Sequence, residues 1–257
     1  LTSTFDLTAS TFDRYRALPA GVAESVRKTI WYSTGAPPDG RVLDLGAGSG
    51  RFGSVFVEAG DYYVGVDASM AMLQQFHERS PSACLLHADG GRLPLKDNSF
   101  DLVLLMQVLS GAENWRNLLC ETARVIVPGG FVVVGQTTGP TGSIDSRMKR
   151  QLAQVLQELG APAQQGEKSR KQALQWLATG ASRQMHVVAA SWPVQRAPRE
   201  FLERHRTGAR FSTLPPAIQK RALQNLAAWA EKKFKSLDKP FTEEHSFELE
   251  IFRIGRR

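Results

Sequence analysis

The stretch Arg41-Val-Leu-Asp-Leu-Gly-Ala-Gly-Ser-Gly50 decides the fold. It begins as a short apolar run of strand character and ends in glycines at alternate positions, Gly46, Gly48 and Gly50. Glycines so placed turn the chain sharply and admit a ligand where a Cβ would clash. A helix is expected to follow, and a helix start offers free N–H groups and partial positive charge. Such a loop at the carboxyl end of a strand is where open α/β sheets bind nucleotide-like ligands. The individual residues narrow the ligand. A dinucleotide fingerprint needs a small residue at position 51, where this chain has Arg51. A P-loop needs Gly-Lys before Ser or Thr, and none follows. Asp44, just before the glycines, would repel a pyrophosphate but hold a cationic group.

Working outward, Tyr62-Tyr-Val-Gly-Val-Asp67 reads as a second strand that ends in an acid. A carboxylate there can accept two hydroxyl hydrogen bonds from a ribose. Cys84-Leu-Leu-His-Ala88 reads as a third strand, followed by Asp89-Gly90. Asn98-Ser-Phe-Asp-Leu-Val-Leu-Leu-Met106 and Ala123-Arg-Val-Ile-Val-Pro-Gly-Gly-Phe-Val-Val-Val-Gly135 supply a fourth and a fifth. Strands alternating with helices from 41 to 136 predict a doubly wound parallel sheet with right-handed crossovers.

In order and spacing these segments resemble class I S-adenosylmethionine (SAM)-dependent methyltransferases over about residues 10 to 137. The likeness extends to an uncharacterised bacterial subgroup related to ubiquinone/menaquinone C-methyltransferases. It implies a Rossmann-like sheet of seven strands and SAM as cofactor. Asp44, Gly46, Ala47, Gly48 and Gly50 would meet the methionine part, and Asp67 with Ala68 the ribose. Ala88, Asp89 and Gly90 would meet the adenine, with Met72 packed beside it and Met70 as filler. Met106 would lend backbone to the SAM amino group. Phe12-Asp-Arg-Tyr-Arg16 is similar to a stretch that covers SAM in many relatives, which makes Tyr15 and Arg16 candidates to shield the methyl and meet the methionine carboxylate; a packing turn is the other reading. The rival cofactor is a nicotinamide dinucleotide.

Many relatives carry a histidine after the fourth strand, where this chain has Gln107 and Ser110. Gln107 would orient an acceptor or cap a helix. His205, with Arg206 and Arg210, could supply a base or bind an anion; a surface role is the plainer reading. Tyr15, Gln107 and His205 are thus the candidates for acceptor chemistry, and Trp192 would wall the pocket or fill the core. The reading is a methyltransferase acting on a small molecule, with an RNA methyltransferase or a non-catalytic SAM-binding or S-adenosylhomocysteine-binding protein as alternatives.

Beyond the fifth strand the alternation stops. Met148 to Leu159 and Arg170 to Leu177 read as helices, and Met185 to Trp192 as a sixth strand. Phe247, Leu249 and Ile251 alternate with glutamates as a seventh. Three regions are expected: an arm and helix over the cofactor at 1–36, a SAM-binding α/β domain at 37–192 and 243–257, and a helical insertion at 193–242. Ile218, Ala222, Leu226, Trp229 and Ala230 share one face of a helix in that insertion, which serves as a cap over the acceptor or as a stabilising surface helix.

The chain has 257 residues, enough for one large domain with a subdomain. Residues 1–139 hold 11 Lys/Arg and 14 Asp/Glu; residues 140–257 hold 21 and 11. The acidic half suits a cationic sulfonium. The basic half suits an anionic acceptor or RNA, or is a solvated helical surface. No apolar run spans a membrane, no signal peptide is evident, and Cys84 and Cys120 read as reduced core thiols. No histidine spacing suggests a metal. A cytoplasmic monomer or homodimer without membrane partners is expected.

Overall fold

The computed structural model describes residues 6, 17–37, 39–110, 112, 114–161, 166–206, 211 and 213–255. Helix α1 (Val22–Thr34) leads into β1 (Val42–Leu45), α2 (Gly53–Glu58), β2 (Tyr63–Asp67), α3 (Met70–Arg79) and β3 (Cys84–His87). Then come β4 (Phe100–Met106), α4 (Trp115–Val125), β5 (Ile126–Thr138), α5 (Ile144–Glu158) and α6 (Gly166–Gly180). The chain finishes with β6 (Ala181–Arg196), α7 (Pro198–Arg206), α8 (Pro216–Phe234) and β7 (Phe241–Ile254).

The strands form one seven-stranded sheet in the order β3-β2-β1-β4-β5-β7-β6. The first five are mutually parallel, and β7 runs antiparallel to both β5 and β6. Central strands are covered on both faces and therefore read as continuous apolar runs. On β1, Leu43 and Leu45 enter the core shared with α4 and α6, whereas Val42 enters the core shared with α1 and α2. On β4, Val103 and Leu105 face the first core, and Leu102, Leu104 and Met106 the second. Helix α1 is pinned to the turn after α2 by a two-point ion pair, Arg27 to Asp61, both bonds at 2.6 Å.

A third core lies beyond the two that cover the sheet and touches the sheet at Phe241, the start of β7. Ile144, Met148 and Leu152 of α5 meet Phe201 of α7 and Ala222, Leu226 and Phe234 of α8. Arg204 of α7 closes on Asp145 of α5 at 2.7 Å. The helical unit therefore recruits α5, which the sequence reading kept with the α/β domain. The apolar stripe of α5 announces a buried face but not which neighbour covers it.

Other expectations change as well. The sixth strand continues through Pro193 to Arg196, and the seventh begins at Phe241, so sheet pairing runs into the stretch read as insertion. Strand β6 is the sheet edge, where a proline is tolerated. The two helices between β5 and β6 are longer than expected. Cys84 and Cys120 are exposed, not core. Cys84 lies on β3, the opposite edge of the sheet, and Cys120 on the outer side of α4.

Candidate functional site

The parallel register brings the carboxyl ends of β1, β2, β3 and β4 to one edge of the sheet. The chain turns away from β1 in both directions there, towards β2 and towards β4, which opens a crevice at the strand-order switch. Asp44, Asp67, Ala88, Asp89, Met106 and Gln107 all arrive at this edge.

Asp44 occupies the end of β1 on the face shared with Tyr63, and its side chain is inaccessible to solvent. Tyr63 donates its phenolic hydrogen to Asp44 Oδ2 at 2.8 Å. Asp44 Oδ1 is buried and has no hydrogen-bond partner among the described residues. Burial pushes the Asp44 carboxyl up to about 7, against the Tyr63 hydrogen bond that favours the charged form; nearby Asp67 adds to the rise. A buried carboxyl with an unmatched oxygen is costly in isolation, and a cationic group would relieve it.

The glycine loop serves two purposes. Gly46 N and Ala47 N both donate to Val66 O, Gly50 N donates to Ala47 O, and Gly48 N donates to Asp67 Oδ2. These four loop donors are spent inside the protein, so positions 46, 47, 48 and 50 offer no phosphate cradle. Space divides the glycines too. A Cβ on Gly46 would lie 2.5 Å from Val108 Cγ2, and one on Gly50 would lie 2.2 Å from Phe76 Cδ2. At Gly48 the nearest atom is a loop oxygen at 3.9 Å. Gly46 and Gly50 are filled by the protein's own side chains, and Gly48 alone leaves room for a ligand.

Asp67 accepts Gly48 N–H on one oxygen and Ser69 N–H on the other, each at 2.8 Å. Burial raises its pKa, while these backbone bonds oppose the rise. Each oxygen keeps a lone pair for a further donor. Ser69 caps α3 by accepting Met72 N–H, which seats Met72 in the interior, whereas Met70 is half-exposed. The Ser69 hydroxyl also donates to Asp6, a residue of the N-terminal arm. Asp89 is exposed and accepts Gly91 N–H at 2.8 Å, which shapes the turn after β3. Gly90 packs against Leu118, and Ala47, Ala88 and Met106 are buried.

Gln107 caps no helix. It adopts a left-handed backbone with φ 62°. Its Oε1 accepts from Arg51 Nη2, and its Nε2 donates to Thr137 Oγ1, both at 2.9 Å. The side chain thus links the loop after β1 to the end of β5. His205 belongs elsewhere. It stacks on Phe201 with ring centroids 3.8 Å apart, inside the helical unit, and burial lowers its pKa to about 4, reinforced by Arg204. It is partly buried. Trp192 packs at the border of the second core. Tyr15, Arg16 and Arg210 lie outside the described residues.

Sequence reasoning missed Tyr63, Phe76, Arg51 and Thr137 as partners, and also Gly53, where a Cβ would sit 2.2 Å from the Tyr63 hydroxyl. Only the repeated small residue after the loop, Gly53, hinted at close approach. A cleft of about 270 Å³ between residues 34–37 and 129–131 lies at the opposite, amino end of β4 and contains none of these groups. Among the described residues no cluster of metal-ligating side chains occurs, and no helix is long and apolar enough to cross a membrane.

Residues 43–134 match the family described as methyltransferase domain. Demethylmenaquinone methyltransferase of Streptomyces griseus is 36% identical over 140 residues, covering 54% of this chain and 61% of that protein. The chain spans roughly half to three-fifths of the length of the first such curated relatives. YcgJ of Bacillus subtilis has a similar fold, with TM-score 0.54 at 18% identity, covering 90% of this chain and 99% of that one. The [4+2]-cyclase SpnF is similar at TM-score 0.55 and 16% identity, covering 98% of this chain and 95% of that one. These two structural likenesses establish the fold alone, and a cyclase on this sheet shows that the site must be argued on its own chemistry.

Proposed function

We propose that this chain transfers a methyl group from SAM to a small-molecule acceptor, a reading supported by the match of residues 43–134 to the methyltransferase domain family. The observation that carries the reading is Asp44, a buried carboxyl with one unmatched oxygen beside a glycine loop whose open position is Gly48. That pairing suits the ammonium of a methionine moiety and opposes a pyrophosphate.

In this reading Asp44 and the 46–50 loop hold the methionine part. Asp67 accepts the ribose hydroxyls through its two remaining lone pairs. Ala88, Asp89 and Gly90 bound the adenine, with Met72 beneath it and the Met106 backbone near the amino group. When bound, SAM supplies an electrophilic methyl on a sulfonium. The protein's own task is alignment and exclusion of water, and orientation is worth about 7–11 kcal/mol of barrier in such reactions. Gln107, fixed between Arg51 and Thr137, is placed to orient the acceptor. The helical unit of α5, α7 and α8 is read as the cap of the acceptor site. The exposed thiols of Cys84 and Cys120 suit a reducing, cytoplasmic setting.

The S. griseus relative supplies a first acceptor to try, a reduced demethylmenaquinone-type naphthoquinol. Incubation with SAM should yield S-adenosylhomocysteine and a methylated acceptor, read by mass spectrometry. SAM binding with no methylated product from a panel of oxygen, nitrogen and carbon nucleophiles would contradict the proposal and favour a binding protein.

A further inference from the structure

Strand β7 runs against β5, so its first residues lie at the same edge of the sheet as the ligand loops. His245 stands there. It continues the stripe of Phe247, Leu249 and Ile251, all fully buried and apolar, so the ring replaces a hydrophobe where the stripe reaches that edge. His245 is itself only 4% exposed. Its Nε2 lies 3.4 Å from Glu243 Oε2. The other Glu243 oxygen accepts Ile144 N–H at 2.6 Å, so the carboxylate is anchored on the first turn of α5, whose positive end suits a negative charge. The imidazole also rests against the end of β5, since a Cβ on Gly139 would come within 3.1 Å of His245 Nε2. Gly139 follows Thr137, the residue that anchors Gln107, by two positions along the chain. A carboxylate that holds an imidazole at the ligand edge of a sheet is an arrangement by which a histidine is oriented to take a proton.

We propose that His245, oriented by Glu243, accepts the acceptor's proton, and that the acceptor class is therefore a nucleophile with an acidic O–H or N–H, such as a phenol or hydroquinone. The proposal rests on the methyl-transfer reading above. The acceptor's O–H or N–H bond breaks towards Nδ1 of His245, the ring nitrogen that Glu243 does not hold, as the nucleophile bonds the methyl carbon. The C–S bond of the donor breaks, its electron pair stays on sulfur, and the imidazole leaves as imidazolium. Charge and atoms balance without any oxidant.

The test compares the parent with His245→Ala, His245→Gln and Glu243→Gln, assayed with 2-prenyl-1,4-naphthoquinol and a panel of phenols. SAM affinity by calorimetry should change little, and each variant should keep a cooperative melting transition even where truncation of the buried ring lowers its midpoint. For His245→Ala, kcat should fall about a hundredfold or more with KM nearly unchanged, and added imidazole should restore part of it. The deficit should shrink for a nitrophenol already ionised at the assay pH. Glu243→Gln, which keeps an oxygen for Ile144 N–H, should fall less than His245→Ala. In protein loaded with S-adenosylhomocysteine and labelled at histidine nitrogen, the His245 signals should move when the naphthoquinol is added. Retained kcat in the folded variants, a loss that imidazole cannot rescue and ionised phenols do not relieve, or turnover confined to nucleophiles without a proton would overturn the assignment. So would SAM binding without turnover of any proton-bearing acceptor. A parent chain that binds no SAM would bring down the methyl-transfer reading first, and calorimetry separates that case.

Discussion

Tyr63 donates to Asp44 Oδ2 at 2.8 Å inside the sheet, while Asp44 Oδ1 has no partner among the described residues. The carboxyl is protonated up to about pH 7 because burial disfavours its charge. The unfolded chain releases the same proton near the ordinary aspartate value. Between those two values the folded state holds a proton that the unfolded state has lost, so stability falls as pH rises. The fall is at most about 4 kcal/mol between roughly pH 4 and pH 7, and then levels off. Asp44→Asn should flatten this dependence, as measured by urea unfolding at several pH values. A bound ammonium would favour the ionised form, so SAM affinity should rise through about pH 7 with release of a proton. Calorimetry in buffers of different ionisation enthalpy counts that proton.

The glycines of the loop should separate stability from binding. Gly50→Ala would force a Cβ to 2.2 Å from Phe76 Cδ2 at a φ of 80°, and should cost about 3 kcal/mol or more from overpacking and strain together. Gly48→Ala meets open space at a φ of 58°, and should cost only about 1–2 kcal/mol. It should nevertheless weaken SAM binding more than any change in melting would suggest. Equal loss of stability in the two variants would contradict this division.

Gln107 carries backbone strain at its left-handed φ of 62°. Gln107→Gly removes about 1–2 kcal/mol of that strain while deleting the bonds to Arg51 and Thr137. The variant should melt close to the parent yet turn over acceptor at least about tenfold more slowly, since a small misplacement of an acceptor is costly. Unchanged turnover would remove Gln107 from the acceptor site.

His205 should be dispensable for chemistry. Its ring is neutral above about pH 4 and stacked on Phe201, so His205→Phe should keep kcat across neutral pH. Stability carries its signature instead. Between about pH 4 and pH 6.5 the unfolded chain binds a proton that the folded chain refuses, so stability rises with pH by up to about 3 kcal/mol. In His205→Phe that rise should disappear from the unfolding midpoints.

The first five strands were legible because each contains an apolar run between turn signals, and the central ones are buried on both faces. Asp44 and the glycines were legible because the backbone there needs glycine and an acid is unusual in such a run. What those residues touch was not. The Tyr63–Asp44 bond depends on strand register, and the closing of Gly50 by Phe76 depends on how α3 lies against the loop. Periodicity gave α5 and α8 their apolar faces but not their common core, because a stripe does not name its partner. Exposure of Cys84 follows from β3 being an edge, a property of strand order and not of local sequence. His245 was missed because it prolongs an apolar alternation by one step beyond the strand that was read.

Calorimetric titration of the purified chain with SAM, and separately with NADH, tests the central claim most directly. Micromolar or tighter SAM binding is expected, weakened at least about tenfold by Asp44→Asn as loss of a charge-assisted contact requires, with no NADH binding. Binding of NADH alone, or SAM binding indifferent to Asp44→Asn, would contradict it.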